Sequence, residues 1–263
     1  MNNSYTIRKP SASDKSNLFL MSTAIATPAI VESFREKLIK HSEDDKPRIL
    51  IFTDGWNRFN RKSELSINHK INQRLNGMGE RIWTRTWLKY LLGRNALIST
   101  VNSSKMDNIT LKNELNKYDA AILPGGNTFQ LMRGLRKNSS VIKNSVEEGS
   151  ILYVGESAGS IISGLSSWPA TLSPADRRPD YARTDSALRL IDSEVIIHAE
   201  GHILDHPIPI IGKVVNLSLR NSTTSPEEIY RFTNSFRNHG NNALILNDGQ
   251  AADFTNGKLT IID

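Results

Sequence analysis

The chain of 263 residues has no cysteine. That excludes disulfides, thiolate metal sites and a cysteine nucleophile, and it fits a reducing compartment. Aromatic residues are sparse, at 7%. No apolar run is long enough to span a bilayer. The stretch Met1 to Asn17 is polar, carries Arg8 and Lys9, and leads into no apolar segment of the secretory kind. The expectation is a cytoplasmic protein without a membrane association. The N-terminal 17 residues are expected to be a flexible lead to one domain over residues 18–263. What the chain does have is an ordinary balance for a globular protein, 38% hydrophobic and 23% charged residues, and a net charge of +6.

Part of that positive charge is concentrated. Arg58, Arg61, Lys62, Lys70, Arg74, Arg81, Arg85, Lys89 and Arg94 fall in one region, interleaved with Trp56, Trp83, Trp87 and Tyr90. This is the best case for a polyanion partner. The same pattern also describes the solvated face of amphipathic helices, so a nucleic-acid partner is not favoured.

The chain alternates between two periodicities. Leu18–Ser22, Arg48–Phe52, Ala96–Val101, Asp119–Leu123 and Ile151–Val154 are short apolar runs of the kind buried in a parallel sheet. Helical stretches separate them. The first opens at Thr27-Pro28, with Thr27 as N-cap and Pro28 in the first turn. Helices are also expected at about 63–75, 80–92, 109–118, 129–135 and 141–148. Such alternation implies an α/β fold with a mostly parallel central sheet between two helical layers. Beyond residue 165 the pattern loosens. Leu188 to Ile197 reads as a strand, and a helix is expected from Ser225. Short strands at 243–247, 251–254 and 259–262, joined by Asn-Asp-Gly and Asn-Gly turns, read as a C-terminal antiparallel extension.

Two turns carry the chemistry. Gly155-Glu156-Ser157-Ala158-Gly159 is a G-x-S-x-G turn between an apolar strand and an apolar helix. A nucleophile elbow needs that context, because the tight turn lifts the serine off the strand end. The N–H of Ala158 would then be one oxyanion donor. An ordinary serine in a Gly-rich turn would have the same local sequence. The second turn, Pro124-Gly125-Gly126-Asn127-Thr128, also follows a strand end. In parallel sheets sites lie beyond the carboxyl ends of the strands, so the two turns should meet there. Asn127 and Thr128 could shape the turn, cap the next helix, or both.

A serine nucleophile needs a base. His41 and His69 fall on or beside helices away from these motifs. His198 ends an apolar run, as Ser157 does. His198, His202 and His206 recur at four-residue intervals, which raises zinc, but Gly201 and Pro207 oppose a helix that would align them. No metal is expected.

Together, Gly-Gly-Asn-Thr-Phe-Gln-Leu at 125–131 and Tyr-Val-Gly-Glu-Ser-Ala-Gly at 153–159 resemble the serine peptidases of the dipeptidase E (aspartyl dipeptidase) and cyanophycinase group. The similarity extends over about residues 18–200. It implies a three-layer fold like that of class I glutamine amidotransferases, with serine in place of their cysteine, and no cofactor. It puts the nucleophile on Ser157, the histidine on His198 and the acid on Asp176, with Asp180 and Asp185 as rivals. The oxyanion donors would be Ala158 and a backbone N–H from Gly125 or Gly126. The implied activity is serine-type exopeptidase cleavage of short peptides, dipeptidase-like. Members that cleave after an N-terminal aspartate carry an arginine soon after the histidine. Here the segment from His202 to Ile211 has none before Arg220, so that preference is not expected. Its apolar Ile208-Pro209-Ile210-Ile211 end fits a greasy pocket or an interface, which leaves a homodimer open. The alternative is a non-catalytic glutaminase-like binding or regulatory module, polyanion-binding through the basic region.

Overall fold

The structure is a computed structural model. It describes residues 17–23, 27–42, 46–56, 88, 92, 96–172, 186–199, 227, 229–231, 234 and 242–263. Residues 1–16 of the N-terminal lead, most of the basic 56–95 region, Asp176, Asp180, Asp185, His202 and His206 lie outside them.

The central sheet has seven strands: β1 (Leu18–Met21), β2 (Arg48–Phe52), β3 (Leu97–Val101), β4 (Ala120–Leu123), β5 (Leu152–Glu156), β8 (Ala251–Thr255) and β9 (Lys258–Ile262). Their order is β3-β2-β4-β5-β1-β8-β9. The first five run parallel, and β8 and β9 join antiparallel beyond β1. Two further strands, β6 (Ser193–Ile196) and β7 (Asn242–Ile245), pair parallel in a small sheet of their own. The expected antiparallel extension is therefore β8 and β9 alone. The strand at 243–247 belongs with β6 instead.

Strand periodicity divides the core in two. Leu18, Leu20, Leu50, Phe52, Ala121, Leu123 and Tyr153 face one apolar layer. Phe19, Met21, Ile49, Ile51, Ala120, Ile122, Leu152 and Val154 face the other. Helix α1 (Pro28–His41) covers the second face with Ile30, Phe34 and Leu38. The rings of Phe19 and Phe34 lie 5.5 Å apart there. Thr27 caps α1 as its sequence predicts, its Oγ1 accepting the Ile30 N–H at 3.3 Å. Helices α2 (Asn108–Leu115), α3 (Thr128–Leu135) and α4 (Ser139–Glu147) cover the first face through Leu111, Leu115, Leu131, Leu135, Ile142 and Val146. The result is the expected three-layer α/β arrangement.

One polar pin crosses the second layer. The buried Lys37 ammonium on α1 donates to Asp253, and to the Phe254 carbonyl and Thr255 Oγ1 at 2.6 Å each. It ties α1 to the antiparallel edge. Among the described residues no helix is long and apolar enough to cross a membrane.

Candidate active site

The end of β5 leads through Ser157 into a four-residue helix, α5 (Ala158–Ile161). Ser157 has φ 49° and ψ −110°. A non-glycine residue held at positive φ costs on the order of 1–3 kcal/mol, which the surroundings must offset. They do so from both sides. The Ser157 N–H donates to the Met21 carbonyl at 3.0 Å, and the Ser157 carbonyl accepts the Ser160 and Ile161 amides at 2.8 and 3.1 Å. The buried Tyr153 hydroxyl donates to the Gly159 carbonyl at 2.7 Å. A Cβ at Gly155 would come within 2.9 Å of the Gly159 backbone, so strand and helix close on each other only because residue 155 has no side chain. Burial alone raises the Tyr153 phenol well above its usual range, which keeps it a neutral donor.

The Pro124-Gly125-Gly126 turn at the end of β4 lies beside this elbow. A Cβ on Gly125 would lie 3.4 Å from Ser157 Cβ. The Gly125 N–H donates to Glu156 Oε2 at 3.1 Å, which fastens the two turns together. Gly126 follows in a conformation of its own. Its φ of 133° is open only to glycine in practice. Asn127 is a helix cap: its Oδ1 accepts the Gln130 N–H at 3.0 Å, at the start of α3.

His198 follows β6 and is also left-handed, with φ 55°. Its Nε2 lies 3.4 Å from Ser157 Oγ. Its Nδ1 lies 2.5 Å from Asp248 Oδ1. Asp248 is buried in the Asn247-Asp248-Gly249 turn between β7 and β8. An ionised carboxylate has only acceptors, so Nδ1 carries the proton in this pair. Nε2 is then left bare and faces the serine hydroxyl. In that tautomer the imidazole can take the proton of a serine hydroxyl.

Sequence reasoning missed Asp248, which it assigned to a plain hairpin turn. A signal was present: Asp248 follows an apolar strand, as Ser157 and His198 do. Among the described residues, no cluster of His, Asp or Glu could hold a metal ion.

Residues 83–262, about two thirds of the chain, match peptidase family S51. The chain belongs to that family. It is therefore a serine peptidase, a hydrolase of peptide bonds, as the paired motifs at 125–131 and 153–159 imply. All three residues of the Ser157–His198–Asp248 line fall inside the matched segment. A crystal structure of a provisionally assigned peptidase E from Listeria monocytogenes EGD-e has a similar fold. It has 17% identity and a TM-score of 0.52, and the likeness covers 94% of this chain and 98% of that one. A peptidase from an acI-B1 Actinobacterium has 14% identity and a TM-score of 0.47 over 96% of this chain and 88% of its own. No curated protein matches the chain in sequence.

Proposed function

We propose that this S51 peptidase is an exopeptidase of short peptides working through Ser157, His198 and Asp248. The observation that carries this reading is the continuous line of polar contacts, 3.4 Å from Ser157 Oγ to His198 Nε2 and 2.5 Å from His198 Nδ1 to Asp248 Oδ1. Ser157 Oγ attacks the scissile carbonyl while its proton passes to Nε2. The tetrahedral oxyanion is met by the backbone N–H groups of Ala158 and Gly126. Nε2 then returns the proton to the leaving amine, and an acyl ester remains on Ser157. Water, deprotonated by the same nitrogen, releases the acid product. Asp248 holds the imidazole in its working tautomer and offsets the imidazolium charge. We assign the acid role to Asp248, because among the described residues it is the carboxylate in contact with Nδ1; Asp176 lies outside those residues. No step needs a cofactor. A cytoplasmic setting fits the absence of cysteine.

The test is hydrolysis of a dipeptide library by wild type and Ser157→Ala, with a fluorophosphonate probe as a second readout. Wild type should release amino acids and label at Ser157, and the variant should do neither. Release of amino acids by a Ser157→Ala protein would end the mechanism. Labelling of wild type with no dipeptide cleaved would end the exopeptidase assignment and leave the serine chemistry standing.

A further inference from the structure

Ser22, the residue after β1, lies outside the segment matched to the family. Its side chain is fully buried, beneath the candidate site. Its Oγ accepts the His198 backbone N–H at 3.0 Å and donates to Asp248 Oδ1 at 3.0 Å. One hydroxyl therefore holds both the backbone of the base and the carboxylate that orients it. The proton placement follows from counting. The His198 N–H can only donate, so it takes a lone pair of Oγ. The single Ser22 proton then goes to Asp248, which has only acceptors when ionised. The 3.4 Å approach of Oγ to His198 Nδ1 is left as a contact, since Nδ1 points its proton at Asp248.

Asp248 makes this arrangement consequential. Its side chain is wholly buried, and its Oδ2 has no hydrogen-bond partner among the described residues. The two donors it does have, Ser22 and His198, both converge on Oδ1. Among the described residues no hydrogen bond on the Oδ2 side holds the carboxylate against rotation about its terminal torsion. Ser22 is the fixed post, because β1 is held between β5 and β8. It also sits next to Met21, whose carbonyl takes the Ser157 N–H and, at 2.8 Å, the Ser160 hydroxyl. Two consecutive residues at the end of one central strand thus anchor the nucleophile turn and the His–Asp pair.

We infer that Ser22 is a positioning residue of the catalytic apparatus, aligning Asp248 and His198 so that Nε2 faces Ser157. The inference rests on the triad reading given above. Ser22 touches no reacting atom, and its effect reaches the reaction through the imidazole. Removing its hydroxyl leaves Asp248 with one donor and the His198 N–H without an acceptor. The result should be a fall in kcat of roughly tenfold to a hundredfold, the range for one hydrogen bond to a charged group. KM should hold, because no substrate-binding group is altered.

The experiment compares wild type, Ser22→Ala and Ser22→Cys on a cleaved peptide, reading kcat and KM apart. Two further measurements are the rate of fluorophosphonate labelling at Ser157 and the downfield proton NMR signal of the His198 Nδ1–H. The expected result is a lowered kcat at constant KM, labelling slowed by a similar factor, and a displaced or broadened imidazole signal. A folded Ser22→Ala protein with wild-type kcat and an unmoved signal would overturn the inference. If Ser22→Ala does not fold, Ser22→Cys decides, since a thiol fills the site but donates poorly. Full kcat in that variant would overturn the inference equally. A wild type that neither cleaves nor labels would instead remove the triad reading itself, so the two failures are distinct.

Discussion

Asp248→Asn gives the sharpest test of the site. The carboxylate receives two donors on Oδ1, His198 at 2.5 Å and Ser22 at 3.0 Å, and none on Oδ2 among the described residues. An amide has two ways to sit there, and both fail. With its oxygen at the Oδ1 position, both donors are kept, but the NH2 group is buried where Oδ2 had no partner. That costs about 1–3 kcal/mol, and the charge that steadies the imidazolium is gone as well. With the amide reversed, NH2 faces Nδ1, the histidine must place its proton on Nε2, and Nε2 can no longer accept from Ser157. The expected loss is about four powers of ten in kcat, or about 5 kcal/mol of barrier, with little change in KM. Steady-state hydrolysis of a cleaved peptide measures it. Denaturant unfolding run alongside should show a folded variant, since the change removes a buried charge and keeps the volume. Asp176→Asn is the paired control, with near wild-type kcat expected. Full activity in Asp248→Asn, with loss in Asp176→Asn, would refute the assignment of the acid.

Two further outcomes concern the scaffold. In Gly159→Ala the new methyl would lie 1.8 Å from the Leu123 carbonyl oxygen, so backbone must move. The expected cost is about 3 kcal/mol or more in urea unfolding, with Ser157 labelling lost too. A Gly159→Ala protein of wild-type stability would contradict the close approach of β4 and α5. Glu194 is buried on β6, and burial pushes its carboxyl above the ordinary value, against the two donors of Ser166 and the charge of Arg189. A raised folded value means that its stability contribution is full at acid pH and is lost as pH rises through the raised range. Wild type should therefore lose stability relative to Glu194→Gln as pH climbs from about the ordinary glutamate value toward neutrality. Parallel stability curves for the two proteins would show that Glu194 is not the group responsible.

The sheet and the turn that carries Ser157 were legible because their signals are local. Each parallel strand is a short apolar run, and Thr27-Pro28 and the G-x-S-x-G turn carry their own stereochemistry. What was hidden depended on long-range pairing. Residues 188–191 read as part of a strand, yet Leu188, Arg189 and Leu190 donate their amides to Ile162, Gly164 and Ser163. They satisfy the carbonyls just beyond α5, with Arg189 turning through a φ of 56°, and leave β6 only the residues after them. The strand at 243–247 looked like one arm of a hairpin because a turn follows it, but pairing with β6 fixed its direction. Asp248 was hidden because an Asn-Asp-Gly turn explains itself, and its contact with His198 spans 50 positions. Ser22 was harder still: a single serine after a strand has no pattern at all. Asp176, Asp180 and Asp185 lie outside the described residues, as do His202, His206 and most of the basic region.

The bond from Ser22 to Asp248 joins residues 226 positions apart. Contacts of such separation form late, since the loop between their ends must be closed before they contribute. During synthesis the N-terminal part of a chain emerges first. A nascent chain that already carries Ser157 and His198 still lacks the carboxylate, and β1 still has a free edge where β8 will pair. Docking of β8 closes that edge and delivers the turn bearing Asp248 in the same event. Under the proposed triad, the site is therefore complete only once the sheet is complete.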